Sequence, residues 1–141
     1  IAAIEYKRKR FEKLVARAVP FPNVRLYLGN AREVLPKEFG EETLEEIYLL
    51  FPDPWPKRRH AKHRLIQKPF AERLHQVLKL GGKVFIATDD ADYHQQIIEV
   101  FSGQPGFVAL PETGFLFPTL YAQRWQEQGR QLLPLTFQKQ L

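Results

Sequence analysis

The sequence predicts an α/β fold built on a doubly wound, mostly parallel sheet. Three observations point there. Short apolar runs alternate with segments whose apolar residues recur every three to four positions. Pro, Gly and Asn punctuate most of the junctions. One run, Ile47 to Phe51, is almost continuously apolar, as strands covered on both faces of a parallel sheet are. With 141 residues and 44% hydrophobic content, one core and a single domain spanning 1–141 are expected.

Ile1 to Ile4 is an apolar run short enough for a buried strand, and it ends at Glu5. From Lys9, apolar residues at Phe11, Leu14, Val15 and Ala18 mark one helix face, which Pro20 and Pro22 stop. Val24 to Leu28 reads as a second strand, with Gly29-Asn30 as its exit, and Ala31 to Phe39 as a short helix broken by Pro36. Glu46 to Phe51 is the third strand, expected to be buried on both faces.

After a loop from Pro52 to Arg64, Pro69 suits the first residue of a helix that carries Phe70, Leu74, Val77 and Leu78 on one side and ends at Gly81-Gly82. Lys83 to Thr88 is the fourth strand. Asp89-Asp90 and a helix with Tyr93, Ile97, Ile98 and Phe101 follow it. Beyond Gly106 the alternation ends, and two apolar runs, Phe107 to Leu110 and Leu132 to Phe137, are placed to pair antiparallel.

Composition narrows the function classes. Without cysteine there is no disulfide and no cysteine-ligated metal or cluster. No apolar run approaches the roughly 18 residues of a membrane span and no signal peptide is visible, so a soluble, cytoplasmic protein is expected. The chain holds no methionine and starts at Ile1 inside an apolar run, so it is expected to be a fragment. Net charge is +5, and Pro54 to Ala71 alone holds six Lys/Arg and no Asp/Glu, which favours a polyanionic partner.

In open α/β sheets ligands bind beyond the carboxyl ends of the strands. That rule selects Glu5, Asn30, the loop after Phe51, and Asp89-Asp90. Glu5 sits where nucleotide-binding folds place an acid against a ribose diol, or else it caps the following helix. The Gly-rich turn that should lie roughly 20 residues before such an acid is absent from the chain.

The loop FPDPWPKRRHAKHR, Phe51 to Arg64, is the most informative segment. Prolines 52, 54 and 56 restrict the residues before them, so Asp53 and Trp55 are expected in extended geometry with little freedom. A carboxylate and an indole held at a strand exit can orient and stack a flat base. The cations that follow supply clustered charge for phosphates. His60 and His63 are not read as a metal pair, since no carboxylate or cysteine completes a set and the neighbours are cationic. Asp89 and Asp90 suit helix caps, with one of them open to a substrate role.

At these residues the sequence resembles a known family, the bacterial tRNA (guanine-N7)-methyltransferases. Phe51 to Arg64 is similar to the family's hallmark almost throughout. Leu78 to Tyr93 and Pro118 to Phe137 resemble the segments that follow it. The resemblance implies a Rossmann-like class I methyltransferase with an antiparallel C-terminal strand, lacking here its first strand and Gly-rich loop. It implies methyl transfer from S-adenosylmethionine, leaving S-adenosylhomocysteine, to N7 of a guanine in the variable loop of tRNA, with no metal.

By position it implies that Glu5, Asn30 and Asp53 meet the cofactor and that Asp53 is catalytic. Lys57, Asp89, Thr119, Leu120, Tyr121 and Ala122 meet the substrate. Apart from the resemblance, the clustered cations themselves assign Arg58, Arg59, Lys62 and Arg64 to RNA phosphates. Asn30 stands where the family has an acid, and Ala122 where it has a Glu. Two alternatives stay open at this stage: an amino-group RNA or DNA methyltransferase, and a non-catalytic RNA-binding module. Monomer and homodimer are both compatible with the sequence.

Overall fold

A computed structural model gives the structure of the protein and describes residues 1–111 and 120–141. The chain divides into two compact units, Ile1–Gly40 and Glu41–Leu141, each described by itself.

The first unit runs β1 (Ala2–Glu5), α1 (Arg8–Ala18), β2 (Arg25–Leu28) and α2 (Ala31–Glu38). β1 and β2 pair in parallel, Ala2 opposite Arg25 and Glu5 opposite Leu28, so both strands end at the same level. Phe11, Leu14 and Ala18 turn the half-buried side of α1 inward, as their spacing predicts, while Val15 stays 45% exposed. Pro36 lies inside α2 and does not break it. Pro36 is the sixth of eight residues, so its missing N–H removes a single bond near the helix end, and the Phe39 N–H still reaches Leu35 O.

The second unit runs β3 (Leu44–Leu50), a 3-10 helix (Arg58–His63), α3 (Lys68–Val77), β4 (Leu78–Thr88), α4 (Ala91–Ser102), β5 (Phe107–Leu110), α5 (Leu120–Glu127) and β6 (Leu133–Lys139). Its sheet has the order β3-β4-β6-β5. β3 and β4 are parallel, and β6 runs antiparallel to both β4 and β5, as the apolar run after Leu132 led one to expect. Parallel strands joined through helices, with an antiparallel strand at the end of the chain, make this a Rossmann-like α/β fold. α5 was not foreseen.

Two expectations are corrected. β3 is not buried on both faces: Tyr48 and Leu50 are 40% and 38% exposed. Among the described residues β3 is the end strand of its sheet and pairs with β4, so it lacks the second strand neighbour that a central strand has. α3 ends at Val77, four residues before Gly81. Leu78 is drawn into β4 opposite Leu44, and the next pair, Glu46 with Lys83, shows that β4 carries extra residues there. The glycines shape that irregularity. Gly81 has φ 80°, and a Cβ on Gly82 would lie 2.8 Å from Lys79 O and 3.0 Å from Glu45 O.

The core belongs to this unit. Phe70, Ala71, Leu74 and Val77 of α3 and Tyr93, Ile97, Val100 and Phe101 of α4 are buried with Val84, Ile86 and Ala87 of β4. Phe101 stacks on Phe137 at 4.2 Å, which joins α4 to β6.

Candidate active site

Local sterics and two hydrogen bonds shape the loop after β3. Phe51 leaves the strand with φ 52°, its N–H still bonded to Ala87 O at 2.8 Å. Trp55 has φ 42°. The extended conformation expected for Trp55 is therefore not adopted. A following proline disfavours the right-handed helical region, and the left-handed region is taken here at a typical cost of about 1–3 kcal/mol. Two contacts hold it. Asp53 Oδ1 accepts the Trp55 N–H at 3.1 Å, and Pro54 O accepts from Arg64 Nε at 2.6 Å.

Among the described residues Arg64 is the largest fully buried side chain, at 2% exposure. Besides Pro54 O, its guanidinium donates to Gln96 Oε1 at 2.6 Å and to Asp92 Oδ2 at 2.7 Å, and it lies 5.0 Å from the Tyr93 ring centroid. Tyr93 Oη accepts the Ile66 N–H, and Gln96 Nε2 donates to Ile66 O. The first and last parts of the loop are thereby tied to α4. This corrects one expected role. A guanidinium whose fork is satisfied inside the protein is withdrawn from RNA phosphates, so Arg64 leaves the predicted phosphate set.

Lys57, Arg58, Arg59 and Lys62 remain on the surface, and so does Asp53. The 3-10 helix brings His60 and His63 against the half-buried Trp55, with ring centroids 5.7 and 5.0 Å from the indole. The two histidines thus form an aromatic cluster with Trp55.

The aspartate pair after β4 separates into two jobs. Asp90 caps α4, its Oδ1 accepting the Tyr93 N–H at 2.7 Å. Asp89 is 19% exposed and accepts from Arg130 Nη1 at 3.1 Å. Arg130, Gln96 and Asp92 were missed in the sequence because each is a lone polar residue without a motif. Thr119 lies outside the described residues, and Leu120, Tyr121 and Ala122 form the first turn of the α5 backbone.

In the first unit, Glu5 ends β1 and Asn30 lies two residues beyond the end of β2. Glu5 Oε1 accepts the Lys7 N–H at 2.9 Å, and Asn30 caps α2 through the Arg32 N–H at 3.0 Å. Asn30 is thus a helix cap, whereas Glu5 braces the turn into α1 without capping it. Each uses one side-chain oxygen. Partial burial, then its bond to Glu46, push the Tyr48 phenol up to about 12.

The fold of this second unit, with its loop at the exit of β3, is of the class I methyltransferase type. A solved structure described as an rRNA methylase from Streptococcus thermophilus superposes with a TM-score of 0.63 at 14% identity, covering 99% of this chain and 73% of that one. The family described as "Putative methyltransferase" matches residues 1–135, and the chain belongs to it. The tRNA (guanine-N(7)-)-methyltransferase of Nitrosospira multiformis is 40% identical over 124 residues, covering 83% of this chain and 53% of the relative. That of Nitrosococcus oceani is 38% identical over 126 residues, covering 87% and 53%. The chain spans about half the length of these curated relatives. They bear out the resemblance carried by Phe51 to Arg64.

Proposed function

We propose that the protein methylates N7 of guanine in tRNA with S-adenosylmethionine as methyl donor. The observation that carries this is the clamped loop: Asp53 and Trp55 held beside four exposed cations, Lys57, Arg58, Arg59 and Lys62.

The residues present fit polar handles of the donor. Glu5 Oε2 suits a ribose hydroxyl, and Asn30 Nδ2 suits an acceptor on the adenine. Bound there, S-adenosylmethionine supplies a sulfonium methyl group and leaves as S-adenosylhomocysteine. Guanine N7 is a lone-pair acceptor without a proton, so Asp53 is not needed as a base. Its carboxylate orients the guanine and stabilises the positive charge that methylation places on the base. Trp55 offers a stacking face, while Lys57, Arg58, Arg59 and Lys62 grip phosphates. Asp89, Thr119 and the first turn of α5 complete the substrate contacts.

The test is Asp53→Asn in the full-length protein. Turnover is expected to fall at least a hundredfold with tRNA affinity within threefold of the parent. Equal methylation rates reject the assignment, and mapping the methylated atom on treated tRNA separates N7 from an exocyclic amine.

A further inference from the structure

The basic loop is not the chain's only concentration of positive charge. From Lys7 to Arg17 there are six Lys/Arg (Lys7, Arg8, Lys9, Arg10, Lys13, Arg17) against a single acid, Glu12. All six are exposed. At 3.6 residues per turn, Lys9, Arg10, Lys13 and Arg17 fall within about 100° of the circumference of α1, with successive steps about 5–6 Å apart.

This arrangement works against the helix that carries it. The first turn of α1 has no acid but holds Arg8, Lys9 and Arg10 at the positive end of the helix dipole, and its N-cap, Lys7, makes no side-chain cap. Lys9 with Lys13, Arg10 with Lys13 and Lys13 with Arg17 are like-charge neighbours at i+4, i+3 and i+4, each mildly destabilising. A surface helix selected for stability alone would place Asp or Glu at several of these positions.

We infer that this stripe of α1 is a second RNA-binding surface, gripping the phosphate backbone of the same substrate from the first unit. The inference rests on the proposed RNA substrate and adds a place where it is held. Charge complementarity names the partner. The helix packs against β1 and β2, and the apolar side that would have to enter a lipid surface, Phe11, Leu14 and Ala18, is the half-buried one. The stripe of Lys9, Arg10, Lys13 and Arg17 presents charge on the side away from those residues, which suits a hydrated polyphosphate rather than a bilayer.

The experiment compares the full-length protein with its K9Q/R10Q/K13Q/R17Q variant, measuring tRNA binding across a salt series. Four lost phosphate contacts are expected to flatten the slope of log K against log[salt] by about 3 and to weaken binding more than tenfold at low salt. Glutamine is a good helix former and the repulsion is gone, so the variant is expected to melt no lower than the parent. Ala16→Glu is a second variant that keeps every native cation and sets an acid beside the stripe; it should weaken binding as well.

A folded variant with the parental salt slope overturns the inference. So does loss of binding to phosphatidylserine vesicles with tRNA binding untouched, which would make the surface a lipid one. The two proposals separate cleanly. A parent that methylates guanine N7, paired with a variant of unchanged slope, defeats only this one; a parent that binds through α1 but methylates another atom defeats only the proposed function.

Discussion

In Ile1–Gly40 the only buried hydrophobic side chain is Leu35, whereas in Glu41–Leu141 the buried side chains of α3, β4, α4 and β6 make up the core. The candidate site residues differ in the same way. Glu5 and Asn30 are held by bonds to backbone two residues away. The Asp53 loop is held through Arg64 by partners 28 and 32 positions further along the chain. Local bonds orient a group but let it move with its own turn, while long-range bonds to a packed helix fix it against the rest of the unit. A loop that must place a base within a few tenths of an ångström needs the second kind of support.

Five variants sharpen or break that comparison. Leu74→Ala, at a fully buried position of α3, is expected to cost about 3–4 kcal/mol in denaturant unfolding. Leu14→Ala, on the half-buried face of α1, should cost no more than about 1 kcal/mol. Equal losses would mean that the first unit is packed as tightly as the second.

Next in size is Arg64→Lys, which keeps the charge but not the fork. A loss of about 2 kcal/mol and lower turnover are expected, with the salt slope of tRNA binding unchanged. A flatter slope for Arg64→Lys would return Arg64 to the phosphate set. The counterpart is K57Q/R58Q/R59Q, whose stability should stay within about 0.5 kcal/mol while the salt slope flattens by about 2.

The smallest effect concerns Tyr48 on the exposed strand β3. Its phenol titrates at about 12 when folded against the ordinary 10.0, so between those values the folded state binds the extra proton. The stability this contributes is complete below pH 10 and is lost as pH rises through about 12. Tyr48→Phe should remove that part of the alkaline decline, together with the high-pH component of phenolate absorbance. An unchanged absorbance titration rules it out.

Much of the fold was legible in the chain, because strand and helix periods are short-range. The helical spacing of Phe11, Leu14 and Ala18, the run at Val84 to Ala87 and the pairing of the two last apolar runs all reappear in the structure. Burial was less legible. The apolar residues of Ile47 to Phe51 resemble those of a central strand, but exposure depends on what lies beside the strand, and among the described residues β3 is an end strand. The ending of α3 was misplaced because Leu78 continues the helical spacing while pairing with Leu44 across the sheet. That competition is decided by a residue 34 positions away.

The sequence by itself determined the order of elements, the location of the proline-bracketed acid and the family to which that loop belongs. These follow from side-chain period, ring constraints and motif, all of which act within a few residues. Only the tertiary structure decided which cation of the run from Lys57 to Arg64 is withdrawn from solvent, how Trp55 turns, and which of Asp89 and Asp90 is spent on capping. Five cations of like chemistry are indistinguishable until one of them meets Asp92, Gln96 and the face of Tyr93. Desolvating a guanidinium is tolerated only where distant parts of the chain bring such partners together.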